Sequence, residues 1–187
     1  MRWLIPFAAL ALLLPGAANA QAADTAAIAA QQAAMHKLDW THGVWRGPAV
    51  SQMPGGEHRV TQTERIGSFL DGTLTVIEGK AYQADGSIGF HAFGVISYES
   101  ATGTYWLTSY AQGRAGKFEM KLTATGYVWE IPAGPATIRY TATLNGATWT
   151  EVGDYIAAGQ APHRIFTMTL TRVGDSAWPE AGGVPRD

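Results

Sequence analysis

The sequence predicts an all-β domain: an antiparallel up-and-down β-barrel of about ten strands, preceded by one helix. Beyond Trp45 the chain runs in short stretches of Thr, Val, Ile, Tyr, Phe and Trp, divided by about nine turn signals such as Asp71-Gly72, Asp85-Gly86, Asn145-Gly146 and Ala158-Gly159. No connection between these stretches has room for a crossover helix, so consecutive strands are expected to be antiparallel neighbours. A meander of that length leaves two open edges unless it closes on itself. A two-sheet sandwich is the alternative, and it suits short hairpins less well than Greek-key connections.

Composition narrows the class. The 187 residues are 47% hydrophobic and 15% charged, with 22 glycines spread along the chain, which excludes disorder and collagen. A formal charge of −2 provides no basic surface to neutralise a run of phosphates, so nucleic acid is not an expected partner. The absence of cysteine removes a disulfide scaffold, a thiol nucleophile and thiolate metal sites.

Taken in order, residues 1–20 have the layout of a signal peptide: Arg2, an apolar run from Leu4 to Leu14, and the ending Ala18-Asn19-Ala20. Pro6, Pro15 and Gly16 interrupt that run, which is short for a membrane span. Cleavage is expected before Gln21, leaving a periplasmic or secreted chain with no membrane span. Residues 21–42 form the helix and lead-in. Ala22 to Leu38 lacks Gly and Pro, Asp24 and Thr25 are placed to cap it, and Ile28, Met35 and Leu38 fall near one stripe. The barrel is expected over 43–173, and 174–187 reads as an irregular tail, a surface strap or a frayed end.

The stretch from Leu38 to Gly47 contains Gly43-Val44-Trp45 where the helix gives way to the first strand. It resembles the Gly-x-Trp opening of lipocalin-like calycin barrels, and the chain as a whole resembles secreted bacterial calycin-type families of undefined function. The resemblance implies a small-ligand cavity, with Trp45 closing the barrel bottom beneath an Arg from the last strand, here Arg172. It departs from true lipocalins in lacking a C-terminal helix. About ten strands fit fatty-acid-binding or nitrobindin-like barrels better than eight-stranded ones. Nitrobindin-like barrels bind haem through a His on a late strand, which would make His163 the ligand as a secondary alternative to no cofactor.

Candidate site residues come from strand pairing. A two-residue loop at Asn145-Gly146 would set Leu144 opposite Ala147 and Tyr140 opposite Glu151, on a face shared with Ile138, Leu144, Trp149 and Tyr155. Glu151 is then a carboxyl on an apolar face, where burial raises its pKa; a hydrogen bond from Tyr140 is the structural explanation and a ligand-facing role the functional one. Glu64 is a second possible interior carboxyl, with Val60, Gln62 and Ile66 on its side of the strand. The Asp85-Gly86 turn sets Lys80 opposite His91 with Glu78 on the same face, either a proton-transfer cluster or an ion-pair patch on the outer wall. The uncharged opposite face, with Gly79, Ala81 and Ala92, makes the better cavity lining. Trp106, Trp129, Tyr140, Trp149 and Tyr155, with Tyr110, Phe118 and Tyr127, are the aromatic candidates for holding a small apolar or aromatic partner. The five histidines show no metal-ligand spacing, so no metal is expected. Binding of a small, mostly apolar ligand is thus the first functional expectation. An enzyme performing proton transfer or hydrolysis in the same cavity and a ligand-free envelope protein are the alternatives.

Overall fold

A computed structural model describes residues 24–179; the expected signal peptide, the expected cleavage before Gln21 and the end of the tail lie outside the described residues. Ten antiparallel strands close into one barrel in the order β1-β10-β9-β8-β7-β6-β5-β4-β3-β2. They are β1 Gly43–Met53, β2 Gly56–Phe69, β3 Leu74–Tyr82, β4 Ile88–Glu99, β5 Thr104–Ala111, β6 Arg114–Leu122, β7 Gly126–Ala133, β8 Ala136–Asn145, β9 Thr148–Ala157 and β10 His163–Gly174. Each turn signal falls between consecutive strands, and closure rules out the sandwich.

The helix is shorter than the alanine-rich stretch suggests. α1 spans Thr25–Met35, with the Asp24 carboxylate accepting from the Ala27 N–H at 3.0 Å, and the chain then tightens into a 3₁₀ turn over His36–Thr41. Ile28 is exposed, while Ala34, Met35 and Leu38 are buried against the lower end of the barrel. The Tyr105 hydroxyl donates to the Ala34 carbonyl at 2.9 Å, and Gln31 donates to the Tyr98 carbonyl, pinning this plug across one mouth. Among the described residues no helix is long and apolar enough to cross a membrane.

Trp45 lies at the bottom of the barrel, 1% exposed, with its indole N–H donating to the Thr41 carbonyl at 2.7 Å and Trp149 packed edge-on at 5.7 Å. Arg172 is its cross-strand neighbour. The guanidinium does not use the indole face: it donates to the His42 carbonyl at 3.1 Å and pairs with Asp175. Gly43 is needed beneath it, because its φ is +125° and a Cβ there would lie 2.8 Å from the Arg172 Nη2. Beyond β10 the tail runs along the outside of β2, where Gly67 leaves room for the Trp178 carbonyl and the Arg65 guanidinium stacks on the Trp178 ring at 4.5 Å.

Side chains alternate between interior and exterior, so register decides the site. Lys80 pairs with His91 as expected from the Asp85-Gly86 turn. The Asn145-Gly146 pairing is corrected: Asn145 itself pairs with Thr148, the loop is Gly146-Ala147, and Glu151 faces Ala142 while Tyr140 faces Gly153. Gly146, with φ of +60°, takes the first central position of the turn and Ala147 does not need a positive φ, as in a II′ turn. The pairing thus slides by two residues, which changes the partner and preserves the face.

Candidate functional site

The plugged half of the barrel is filled by Leu38, Trp45, Ile66, Ile96, Met120 and Leu170. The other half holds a cavity of about 480 Å³ that opens at the end opposite the helix, past Met53, His58 and Phe90. Small residues make this space. Gly79, Ala81 and Ala92 line the β3 and β4 wall, and Ile77 and Gly94 continue it. This is the uncharged face of those strands.

The charged face is therefore outside. Glu78 bonds Arg65, Lys80 and His91 on the outer wall, so these four form a surface ion-pair patch away from the cavity. Trp106 is also on the outer wall, because its neighbours Tyr105 and Leu107 take the inward positions on either side of it. Its indole N–H donates to Glu99 and Lys117 lies over its ring at 4.3 Å. Tyr155 shares the inward-facing parity of β9 but does not line the cavity.

Glu151, Glu64, Trp129, Tyr140 and Trp149 do line it. Glu151 is 7% exposed and accepts from the Tyr127 hydroxyl and the Trp129 indole N–H, each at 3.3 Å. The partner expected from pairing was Tyr140, which instead stacks on Trp129 with ring centroids 4.5 Å apart. Burial outweighs the bonds from Trp129 and Tyr127 and raises the Glu151 pKa to about 7. Glu64 sits where β2 crosses Gly79 and accepts from the Gln62 amide at 2.7 Å. A Cβ on Gly79 would lie 2.8 Å from both carboxyl oxygens, so this glycine makes the space Glu64 occupies. Burial raises the Glu64 pKa to about 8; Gln62 opposes the shift, and the charges of Glu151 and Glu78 add to it. Burial pushes Tyr127 and Tyr140 upward, so both stay neutral phenols, and Tyr127 is the one that donates to Glu151.

Two carboxyls thus share one apolar cavity with neutral donors only. Tyr127, Gln62 and Gly79 are each expected on inward or lining faces, but their contacts with Glu151 and Glu64 are not. Tyr127 was visible as the inward alternate of Trp129, whereas Gly79 becomes meaningful only when β2 and β3 are in register.

His163 begins β10 at the exposed rim, opposite Tyr155, and does not line the cavity. The imidazole that reaches the lining is that of His58, also exposed at the mouth. Carboxyls at depth and imidazoles at the rim are a poor donor set for haem iron. A second recess, at the plugged end, brings His36, Asp39, His42 and Thr75 together. Among the described residues no group of three or more His, Cys, Asp or Glu is gathered closely enough to hold a metal ion.

The barrel is similar in fold to the crystal structure of Rv2717c from M. tuberculosis, with a TM-score of 0.56 and 13% sequence identity over 74% of this chain and 96% of that one. No family model matches the chain, and no curated protein matches it.

Proposed function

We propose that this barrel binds a small, mostly apolar molecule in its interior and does so outside the cytoplasm. The observation that carries the reading is the cavity of about 480 Å³, open at one end, with aromatic and small side chains on its walls and two carboxyls among them. Its volume falls in the range of roughly 300–1,000 Å³ occupied by small-molecule sites, and its lining has the same make-up, a large apolar share with a few polar groups. A barrel serving only as a solid structural element would be expected to fill that space with side chains. The Gly43-Val44-Trp45 opening and the closed antiparallel barrel support a calycin-type relationship, and the first 20 residues support export.

Native mass spectrometry of protein purified from its own source should reveal a retained small molecule. A panel of acyl, aromatic and tetrapyrrole probes should include members that bind saturably and change tryptophan emission. Empty protein together with a panel showing no saturable binding would overturn the proposal. The Glu151 pKa of about 7 favours a second reading, in which this carboxyl transfers a proton to or from a bound substrate. Glu151→Gln separates the two, since an anchor loses affinity and a general acid or base loses turnover with binding retained.

A further inference from the structure

The chemistry of the cavity constrains the ligand further. Glu64 on β2 and Glu151 on β9 are separated in the sheet by β1 and β10, and both line the same cavity. The bonds they accept come from an amide, a phenol and an indole. Among the described residues no Lys or Arg lines the cavity, and its one basic group, His58, is at the exposed mouth. The nearby cations Arg65 and Lys80 are taken up by Glu78 on the far side of the wall. Trp129 stacked on Tyr140, with Phe166 edge-on to Tyr140 at 6.0 Å, adds aromatic surface beside the carboxyls. Trp149 lines the same cavity, and its indole N–H is the buried side-chain polar atom without a partner among the described residues.

A ligand with a carboxylate would add a third acidic group to this space. A purely hydrocarbon ligand would cover both carboxyls, keep them protonated and give their remaining donor and acceptor positions no partner. An ammonium group satisfies both, and aromatic rings beside it favour a cation over a neutral polar group. We infer that the ligand is an organic amine of the aryl-alkyl class, its ammonium group held by Glu64 and Glu151 and its ring packed on the wall formed by Trp129 and Tyr140. This rests on the reading of the barrel as a binding protein and specifies its ligand.

The inference fixes the sign of a pH dependence. The neighbours of the two carboxyls are Trp45 on β1, Gly79 on β3, Tyr127 and Trp129 on β7, Ala142 on β8 and Met168 on β10. Their titratable members, like Tyr140, are phenols that stay neutral through the relevant range. Glu78, behind β3, stays ionised because bonds from His91, Arg65 and Lys80 outweigh its partial burial. An ammonium ion binds the ionised carboxyls, so near neutral pH it displaces their protons to solvent. Affinity should therefore rise as pH climbs through the range in which Glu151 and Glu64 lose their protons. A carboxylate ligand would show the opposite slope, and a neutral one almost none.

The test uses three probes of one shape: 2-(1-naphthyl)ethylamine, 2-(1-naphthyl)ethanol and 1-naphthylacetate. Each is titrated by calorimetry and tryptophan emission at pH 6 and pH 8, against the full mature chain and its Glu64→Gln and Glu151→Gln variants. At pH 8 the amine should bind about tenfold or more tighter than the alcohol, and its Kd should fall by about tenfold or more between pH 6 and pH 8. Calorimetry in two buffers of different ionisation enthalpy should show proton release. Each Gln variant should lose about tenfold for the amine and keep its affinity for the alcohol, which also reports an intact cavity. If a variant loses the alcohol as well, the pH profile of the unaltered protein decides alone. Saturable binding of the alcohol or the acid with the amine no tighter, or an amine affinity that falls with pH, overturns the amine assignment and leaves the binding reading standing. No saturable binding of any of the three probes overturns the amine assignment, and the binding reading falls with it only if the purified protein is also empty and the wider acyl, aromatic and tetrapyrrole panel fails.

Discussion

Glu64 and Glu151 hold their protons in the folded chain to about pH 8 and about pH 7, whereas the same groups in an unfolded chain release them near an ordinary glutamate value. Between those limits the native state binds more protons than the unfolded state, so stability falls as pH rises, and levels off above the higher folded value. The two carboxyls together should make the protein less stable at pH 9 than at pH 5 by roughly a few kcal/mol. Urea unfolding at several pH values checks this. The double variant Glu64→Gln and Glu151→Gln should show a markedly flatter slope than the unaltered chain, and an identical slope would mean that neither group keeps its proton in the fold. The inward placement of Glu151 was legible in the chain, because Trp149, Leu144 and Ile138 select its face whichever residue stands opposite. Its donors were not legible. They come from β7, one strand beyond the hairpin from which pairing was deduced, and a side chain's reach across two strands depends on barrel curvature as much as on register.

Among the elements, the helical plug and the turns show the two kinds of sequence signal. Turn chemistry is local, so Gly and Asp positions located the boundaries between strands. A single-residue difference in how Asn145-Gly146-Ala147 is used was enough to move every partner of β8 along β9. Trp106 illustrates a related limit: its aromatic character suited either wall, and only the inward positions of Tyr105 and Leu107 place it outside. The plug depends on long-range packing. Leu38 is 0% exposed beneath Trp45 and Ile66 in the same core cluster, so Leu38→Ala should destabilise the protein by about 2–5 kcal/mol through lost burial and the cavity left behind. Thermal or denaturant unfolding measures the loss. The ligand cavity lies in the opposite half of the barrel, so a correctly folded Leu38→Ala variant should bind probes as before. Loss of probe binding in proportion to loss of stability would show the two halves to be coupled.

For the molecule as a whole, the seam between β1 and β10 is the feature with the widest reach. It joins the first strand to the last, and Arg172 donates to a carbonyl 130 residues earlier in the chain. A chain ending before His163 would leave β1 and β9 as unpaired edges. Such a truncation should run as soluble oligomers or precipitate in size-exclusion analysis; a monomer that unfolds cooperatively would contradict this.

The same seam orders events in time. Synthesis proceeds from the N-terminus, so β1 exists long before the strand that completes it, and no earlier pairing can substitute for that final docking. Closure of this kind, with contacts spanning nearly the whole chain, belongs to the slow class of folding topologies, on the order of milliseconds to seconds. Throughout that interval β1 and the last strand formed keep unpaired edges, and the chain has not yet locked into a closed body. The strand that finishes the barrel therefore also ends the period in which those edges stay open.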